Sequence, residues 1–105
     1  MNSINDVREF YELTEQTKPI LLDFYADWCG PCQTLMPTIE KISEEYKNEI
    51  EVRKVNVDQN RELAAKFGIR SIPSLFFLKG EEIIDKTVGL VTTNTIIDKV
   101  KKIIS

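Results

Sequence analysis

Two cysteines separated by two residues are the strongest chemical signal in the sequence, within the segment Trp28-Cys29-Gly30-Pro31-Cys32. This spacing lets both sulfurs close a small ring, and the pair stands between a predicted buried strand and the start of a predicted helix. Unpaired N–H groups and the positive dipole end of that helix stabilise a thiolate at Cys29. We therefore predict thiol–disulfide exchange, with Cys29 as the nucleophile and Cys32, one turn inside the helix and more buried, as the resolving thiol.

A metal site and a purely structural disulfide are the alternatives for this pair. Half of a zinc or iron–sulfur site would need two more cysteines or histidines, and the sequence has two cysteines and no histidine. Such a site could form only between two chains. A structural disulfide that closes so short a loop constrains little. Redox exchange is therefore favoured, no metal site is expected within one chain, and histidine-based nucleophilic catalysis is excluded.

A second chemical signal is Asp23, which interrupts the apolar run at residues 20–26. That run is typical of a strand covered on both faces. Burial disfavours an ionised carboxylate, so we expect desolvation to raise the pKa of Asp23. The functional interpretation is a general acid/base near Cys32 that accepts its proton, directly or through water. The alternative is a carboxylate paired with a lysine of the neighbouring strand.

The elements that must position these residues alternate between strands and helices. The apolar spacing predicts a first helix from Val7 after a cap at Asn5 or Asp6, and a short helix capped by Asp58 or Asn60. The other predicted elements are strands at 20–26 and 50–57, a helix from Pro31, a hairpin of residues 74–79 and 82–87, and a last helix carrying Ile96, Ile97, Val100, Ile103 and Ile104. The order β, α, β, α favours an α/β fold with parallel strands joined by crossovers.

Composition limits the partners. The chain has 105 residues, of which 42% are hydrophobic and 30% charged, and a net charge of −3. This predicts a single domain spanning residues 1–105. Because charges of both signs are interspersed, we expect no nucleic-acid or membrane-surface partner. The N-terminus has no basic region followed by an apolar stretch, so a reducing, cytoplasmic location is expected. We also expect the protein to be a monomer.

Four segments closely resemble the thioredoxin family: DFYADWCGPC (23–32), VNVDQN (55–60), GIRSIPS (68–74) and VG (88–89). The resemblance covers nearly the whole chain. It implies a central mixed sheet of three parallel strands and an antiparallel hairpin, flanked by helices. It also implies that Lys54 lies beside the Asp23 carboxylate and modulates it; without the resemblance, Lys54 would be an ordinary strand lysine.

The resemblance further implies a docking surface for client proteins. A cis Ile72–Pro73 bond is expected to face the cysteines, where the backbone of Ile72 would pair with an extended client segment. The apolar surface around Cys29 would consist of Trp28, Gly30, Pro31, Ile72, Pro73, Val88, Gly89 and Leu90. For Val88 and Leu90, plain loop packing is an alternative that the sequence leaves open.

The function implied by the resemblance is a protein-disulfide reductant. Client proteins with disulfides would be its substrates, and an NADPH-dependent, flavin-containing thioredoxin reductase would re-reduce it, so no cofactor is expected on this chain. Oxidants and isomerases of this fold usually carry a histidine between their cysteines, and this chain carries Gly30 and Pro31 there. An oxidase of an oxidising compartment and a redox-independent binding subunit are the two rival interpretations.

The sequence also departs from the common thioredoxin pattern. Tyr25 stands where many members have a tryptophan, and Gln33 replaces a frequent lysine after the second cysteine. Gln33 therefore removes a positive charge from near the nucleophile. Only residues 1–4 are available for the first strand of the family fold, so we expect that edge strand to be frayed or missing.

Overall fold

The apolar segments and the cap residues assemble into a five-stranded sheet with four helices. The computed structural model describes residues 1–105. The strands are β1 (Asn2–Ser3), β2 (Ile20–Tyr25), β3 (Glu51–Asn56), β4 (Ser74–Lys79) and β5 (Glu82–Val88). The helices are α1 (Val7–Thr14), α2 (Gly30–Glu45), α3 (Arg61–Lys66) and α4 (Thr93–Ile104). No helix combines the length and the hydrophobicity needed to cross a membrane.

The sheet has the strand order β1-β3-β2-β4-β5. Strands β1, β3 and β2 are parallel, while β4 runs antiparallel to β2 and β5 antiparallel to β4. This confirms the predicted mixed sheet of three parallel strands and a hairpin. Strand β2 lies in the middle, which explains its nearly continuous apolar sequence: its edges are hydrogen-bonded on both sides and its faces are covered by helices.

Two apolar layers fill the space between the sheet and the helices. One layer joins α2 and α4 to one sheet face and consists of Leu21, Leu35, Ile39, Ile42, Ile50, Val52, Leu75, Phe77, Ile96, Val100 and Ile103. The other joins α1 and α3 to the opposite face and consists of Ile4, Phe10, Leu13, Ile20, Leu22, Phe24, Val55, Leu63, Phe76 and Leu78. Alternate residues of β2 enter alternate layers, as the period of a strand requires.

The start of α1 follows the prediction, and α3 begins at one of its two predicted cap residues but without a side-chain cap. The Asp6 carboxylate accepts a hydrogen bond from the Glu9 N–H at 2.8 Å, and the Glu9 carboxylate accepts one from the Asn5 N–H at 2.8 Å. This reciprocal arrangement confirms the predicted cap. Asn60 occupies the N-cap position of α3, but its side chain makes no capping hydrogen bond. It turns back and donates instead to the backbone oxygen of Asn56 at 3.0 Å.

The expectation that the first strand is frayed or missing is wrong. Asn2 and Ser3 form β1 and pair in register with Arg53 and Lys54 of β3. The Ile4 N–H extends this pairing by donating to the Lys54 oxygen at 3.0 Å, and the Ile4 side chain is buried in the core. Burial of one isoleucine next to the strand thus fixes an edge that has only two residues.

The core layer beneath α2 should be sensitive to loss of volume. Ile39 has no exposed surface, so Ile39→Ala leaves a cavity and should lower the free energy of unfolding by about 2–5 kcal/mol. Urea denaturation measures this change. Glu40→Ala, at the exposed neighbouring position of the same helix, is the matched control and should stay within about 0.5 kcal/mol of the wild type. Equal effects of the two substitutions would contradict the described packing.

Candidate active site

The two cysteines lie at the start of α2, just after the segment that leaves β2. Cys29 is the N-cap of the helix, and its sulfur accepts a hydrogen bond from the Cys32 N–H at 3.2 Å. Pro31 stands at the first turn, where no N–H is needed. Cys29 and Cys32 form a disulfide whose Cα atoms are 5.3 Å apart. The helix terminus therefore offers one N–H donor and its dipole to the sulfur of Cys29.

The two sulfurs differ in their surroundings. Cys29 is 5% exposed, whereas Cys32 has no exposed surface and packs among Ala26 and partly buried side chains. This is the predicted order of burial. The Cys29 sulfur also lies 3.8 Å from the Ile72 carbonyl oxygen. Of the two sulfur-bearing residues, only Cys29 therefore retains any exposed surface.

The segment before β4 lies directly opposite the disulfide. The Ile72–Pro73 peptide bond is cis, as expected. The Pro73 carbonyl oxygen accepts a hydrogen bond from the Gly89 N–H at 2.8 Å. Gly89 has a φ of +82°, a left-handed conformation that favours glycine. This bond ties the segment after β5 to the segment before β4, whose Ile72 contacts the Cys29 sulfur.

Apolar side chains around the disulfide are exposed. Trp28 is 72% exposed, Val88 55% and Leu90 54%. The alternative that Val88 and Leu90 are packed loop residues is therefore wrong. Gly30 and Pro31 are exposed, Ile72 and Gly89 are half-buried, and Pro73 is buried. A Cβ at Gly30 would meet no atom within 4 Å, so glycine is not needed there to avoid an internal clash. The lack of a side chain at this position leaves the surface beside Cys29 uncovered.

Asp23 lies in the middle of β2 and is 1% exposed. Neither of its carboxylate oxygens has a hydrogen-bond partner. Burial raises the pKa of Asp23 from its ordinary value of 3.8 to about 7, against a smaller lowering by the charge of Lys54. Desolvation thus outweighs the attraction of the lysine, as the sequence predicts.

Lys54 stands opposite Asp23 in the register of β2 and β3. The two residues do not form an ion pair. The Lys54 ammonium lies instead 5.9 Å from the centre of the Tyr25 ring, at the outer limit of a cation–π contact. The alternative in which a neighbouring lysine simply pairs with the buried carboxylate is therefore wrong, although its charge still acts on Asp23 over a longer distance.

Comparison with known proteins identifies the family. A sequence model of the thioredoxin family matches residues 3–102. The chain is similar to thioredoxin of Pyropia yezoensis, at 39% identity over all of this chain and 98% of that protein, and to thioredoxin of Rickettsia felis, at 40% identity over 96% of each. This chain belongs to the thioredoxin family.

Solved structures agree with this thioredoxin assignment. The structure of Malassezia sympodialis thioredoxin has a TM-score of 0.92 at 30% identity, covering 100% of this chain and 91% of that one. Fasciola hepatica thioredoxin gives a TM-score of 0.91 at 30% identity, over 98% and 99% of the two chains. Thioredoxins are protein-disulfide oxidoreductases, and Cys29 and Cys32 form the redox-active disulfide of this one.

Sequence reasoning missed one contact of this thioredoxin site. The Trp28 indole Nε1 donates a hydrogen bond to the Asp58 carboxylate at 2.8 Å. From its position before α3, Asp58 is predicted only as a possible helix cap. The polar residues at 56, 58 and 60 are typical of a turn held by side chain to backbone bonds, but nothing in their spacing indicates that the turn reaches Trp28.

Neither cysteine of the active disulfide lines one of the two largest cavities. The two largest cavities lie elsewhere: one of about 380 Å³ beside β1 and α1, and one of about 360 Å³ between α2 and the start of α4. The described residues contain no cluster of three or more His, Cys, Asp or Glu side chains able to hold a metal ion.

The raised pKa of Asp23 makes stability depend on pH. The folded state holds the Asp23 proton up to about pH 7, whereas the unfolded chain releases it near pH 4. The free energy of unfolding should therefore fall as pH rises from about 4 to 7, by at most about 4 kcal/mol, and level off above. Urea denaturation of the oxidised protein, in which the cysteines do not titrate, measures this slope.

Asp23→Asn should remove that slope and exceed the wild type in stability above pH 7. Asp27→Asn, which removes an exposed carboxylate four residues away on the same segment, is the control and should keep the slope. A wild-type profile that is flat between pH 4 and 7 would mean that Asp23 is not raised in the folded state.

Proposed function

We propose that this thioredoxin-family protein reduces disulfides of client proteins, with Cys29 as the attacking thiol. The Cys29 thiolate attacks one sulfur of the client disulfide, and the other client sulfur leaves and takes up a proton. The Cys32 thiolate then attacks Cys29 in the resulting mixed disulfide, and the second client sulfur leaves as a thiol. The client gains two electrons and two protons, and Cys29 and Cys32 end as a disulfide.

One observation carries the order of these steps: Cys29 borders the surface at the N-cap of α2, while Cys32 is fully buried one turn further on. A client sulfur can reach only the first of these atoms. The helix N–H that points at the Cys29 sulfur stabilises its thiolate before the attack and as a leaving group. Cys32 attacks only the Cys29 sulfur, once that sulfur is bound to the client.

Asp23 acts as the acid/base for Cys32. A carboxyl whose pKa is about 7 can both accept and return a proton near neutral pH. It lies on the same sheet face that α2 covers, since Leu21 of that face packs with α2 residues. The opposed Lys54 lowers the pKa of Asp23 from what burial alone would give, and so keeps this exchange in the neutral range.

Client segments dock on the apolar surface around Cys29. This surface comprises the exposed Trp28, Gly30, Pro31, Val88 and Leu90 and the half-buried Ile72 and Gly89, while the buried Pro73 sets the cis bond to Ile72. An extended client strand pairs with the backbone of Ile72, whose carbonyl oxygen lies 3.8 Å from the Cys29 sulfur. Such pairing recognises the backbone of the client and not its side chains. It therefore suits a reductant with many clients.

The protein works in the reducing direction and is recycled. No histidine stands between the cysteines to favour an oxidant. An NADPH-dependent, flavin-containing thioredoxin reductase supplies the electrons, so this chain needs no cofactor of its own. The chain works as a monomer. A reductant of client disulfides suits a reducing compartment such as the cytoplasm.

Removal of the resolving thiol should trap the intermediate. With insulin as the disulfide client, Cys32→Ser should accumulate a covalent complex through Cys29, because the second displacement is blocked. Cys29→Ser is the matched variant and should form no complex. Non-reducing electrophoresis with mass analysis measures both. Trapping by Cys29→Ser and not by Cys32→Ser would reverse the proposed roles.

The midpoint potential tests the direction of electron flow. Trp28 is the only tryptophan and lies beside the disulfide, so its fluorescence should report the redox state in thiol buffers of graded potential. A reductant should show a midpoint well below the glutathione poise. A midpoint at or above that poise would indicate an oxidase or isomerase. A bond that resists every buffer would indicate a structural disulfide.

A further inference from the structure

The turn between β3 and α3, residues 57–60, connects the exposed side chain of Trp28 to the end of β3. Trp28 is 72% exposed, so packing alone holds its ring weakly. Its indole makes one hydrogen bond, from Nε1 to the Asp58 carboxylate at 2.8 Å. The orientation of the Trp28 ring, next to Cys29 in the chain, therefore depends on where the turn holds Asp58.

Asn56 holds that turn. Its side-chain oxygen accepts hydrogen bonds from the backbone N–H of Asp58 at 2.9 Å and of Gln59 at 3.3 Å. Its backbone oxygen accepts from the N–H and the side-chain amide of Asn60, at 2.9 and 3.0 Å. Asn56 is 5% exposed. A buried amide thus fixes a turn whose outer residues, Asp58 and Gln59, are exposed.

Both ends of the Trp28–Asp58 bridge begin at the same rung of the sheet. Tyr25 of β2 and Asn56 of β3 are register partners, and the Val57 N–H donates to the Tyr25 oxygen at 2.9 Å. After this pair of residues, the segment that follows β2 leads to Trp28 and the segment that follows β3 leads to Asp58. The hydrogen bond between them closes a ring, and the Asn56 side chain braces one of its sides.

We propose that Asn56 is a positioning residue that fixes the Trp28 indole for client docking, acting through Asp58. The inference rests on the proposed function, in which Trp28 belongs to the docking surface. A ring that is held before the client arrives loses less rotational freedom on binding. Loss of the brace should therefore weaken docking while the chemistry of the two cysteines stays unchanged.

Two readouts test this role: time-resolved fluorescence anisotropy of Trp28, the only tryptophan, and kcat/KM for insulin reduction. Asn56→Ala should increase the fast motion of the indole and lower kcat/KM by about twofold to tenfold, mainly through KM. Asn56→Asp keeps the acceptor oxygen and should restore both values. Gln59→Ala removes an exposed side chain of the same turn and should change neither.

Asp58→Ala provides a second variant at an exposed position, where a failure to fold is not expected. It should loosen Trp28 as Asn56→Ala does. Because both residues act along one path, the double variant should lose no more kcat/KM than Asp58→Ala alone. Unchanged anisotropy in Asp58→Ala, or additive losses in the double variant, would overturn the proposal.

Trp28→Ala separates this proposal from the docking surface on which it rests. If Trp28→Ala leaves insulin reduction unchanged, the docking role of Trp28 fails and the positioning role fails with it. If Trp28→Ala lowers kcat/KM but Asn56→Ala changes neither readout, the positioning role alone is overturned. A loss of activity in Asn56→Ala without faster motion of Trp28 would likewise overturn it.

Discussion

The structure depends on the central position of β2, which is hydrogen-bonded to β3 on one edge and to β4 on the other. Helices cover both of its faces, so the strand tolerates little besides apolar side chains. Its exit then places Cys29 at the start of α2, and its middle buries Asp23. The same constraint thus supplies the strand from which the disulfide segment begins and the buried carboxyl of Asp23.

The active surface forms where four strand ends meet. Because β4 runs antiparallel to β2, its first residue, Ser74, pairs with Phe24 near the exit of β2. The last residue of β5, Val88, pairs with Ser74 on the other side. Strand β3 is parallel to β2, so Asn56 ends beside Tyr25. Segments distant in sequence therefore reach the cysteines through sheet register, without long loops.

Electrostatics and hydrogen bonding divide the work at this end of the sheet. Desolvation dominates at Asp23, and the charge of Lys54 offsets only part of it because the two side chains do not pair. Tyr25, which stands where many thioredoxins have a tryptophan, lies near the Lys54 ammonium. On the outer side, the chain of bonds from Asn56 through Asp58 orders Trp28 without burying it. Burial thus sets the pKa of the interior carboxyl, and hydrogen bonds set the orientation of the surface indole.

Local patterns predicted most elements of this thioredoxin. The cap at Asp6, the hairpin around β4 and β5, and the stripe of α4 are set by neighbouring residues, so their positions follow from sequence. The weak predictions were those that depend on remote contacts. Strand β1 forms because Ile4 is buried against the core, and Asn60 turns away from its helix because a backbone oxygen of Asn56 is near.

The sequence by itself determined the chemistry: two cysteines at this spacing, no histidine, and one carboxylate in an apolar strand leave few reactions open. The tertiary structure decided the rest. It exposed Val88 and Leu90, kept Lys54 out of an ion pair with Asp23, and brought Asp58 to Trp28. The physical reason is that side-chain type and helix or strand period are local properties, whereas burial and charge separation depend on which strands become neighbours.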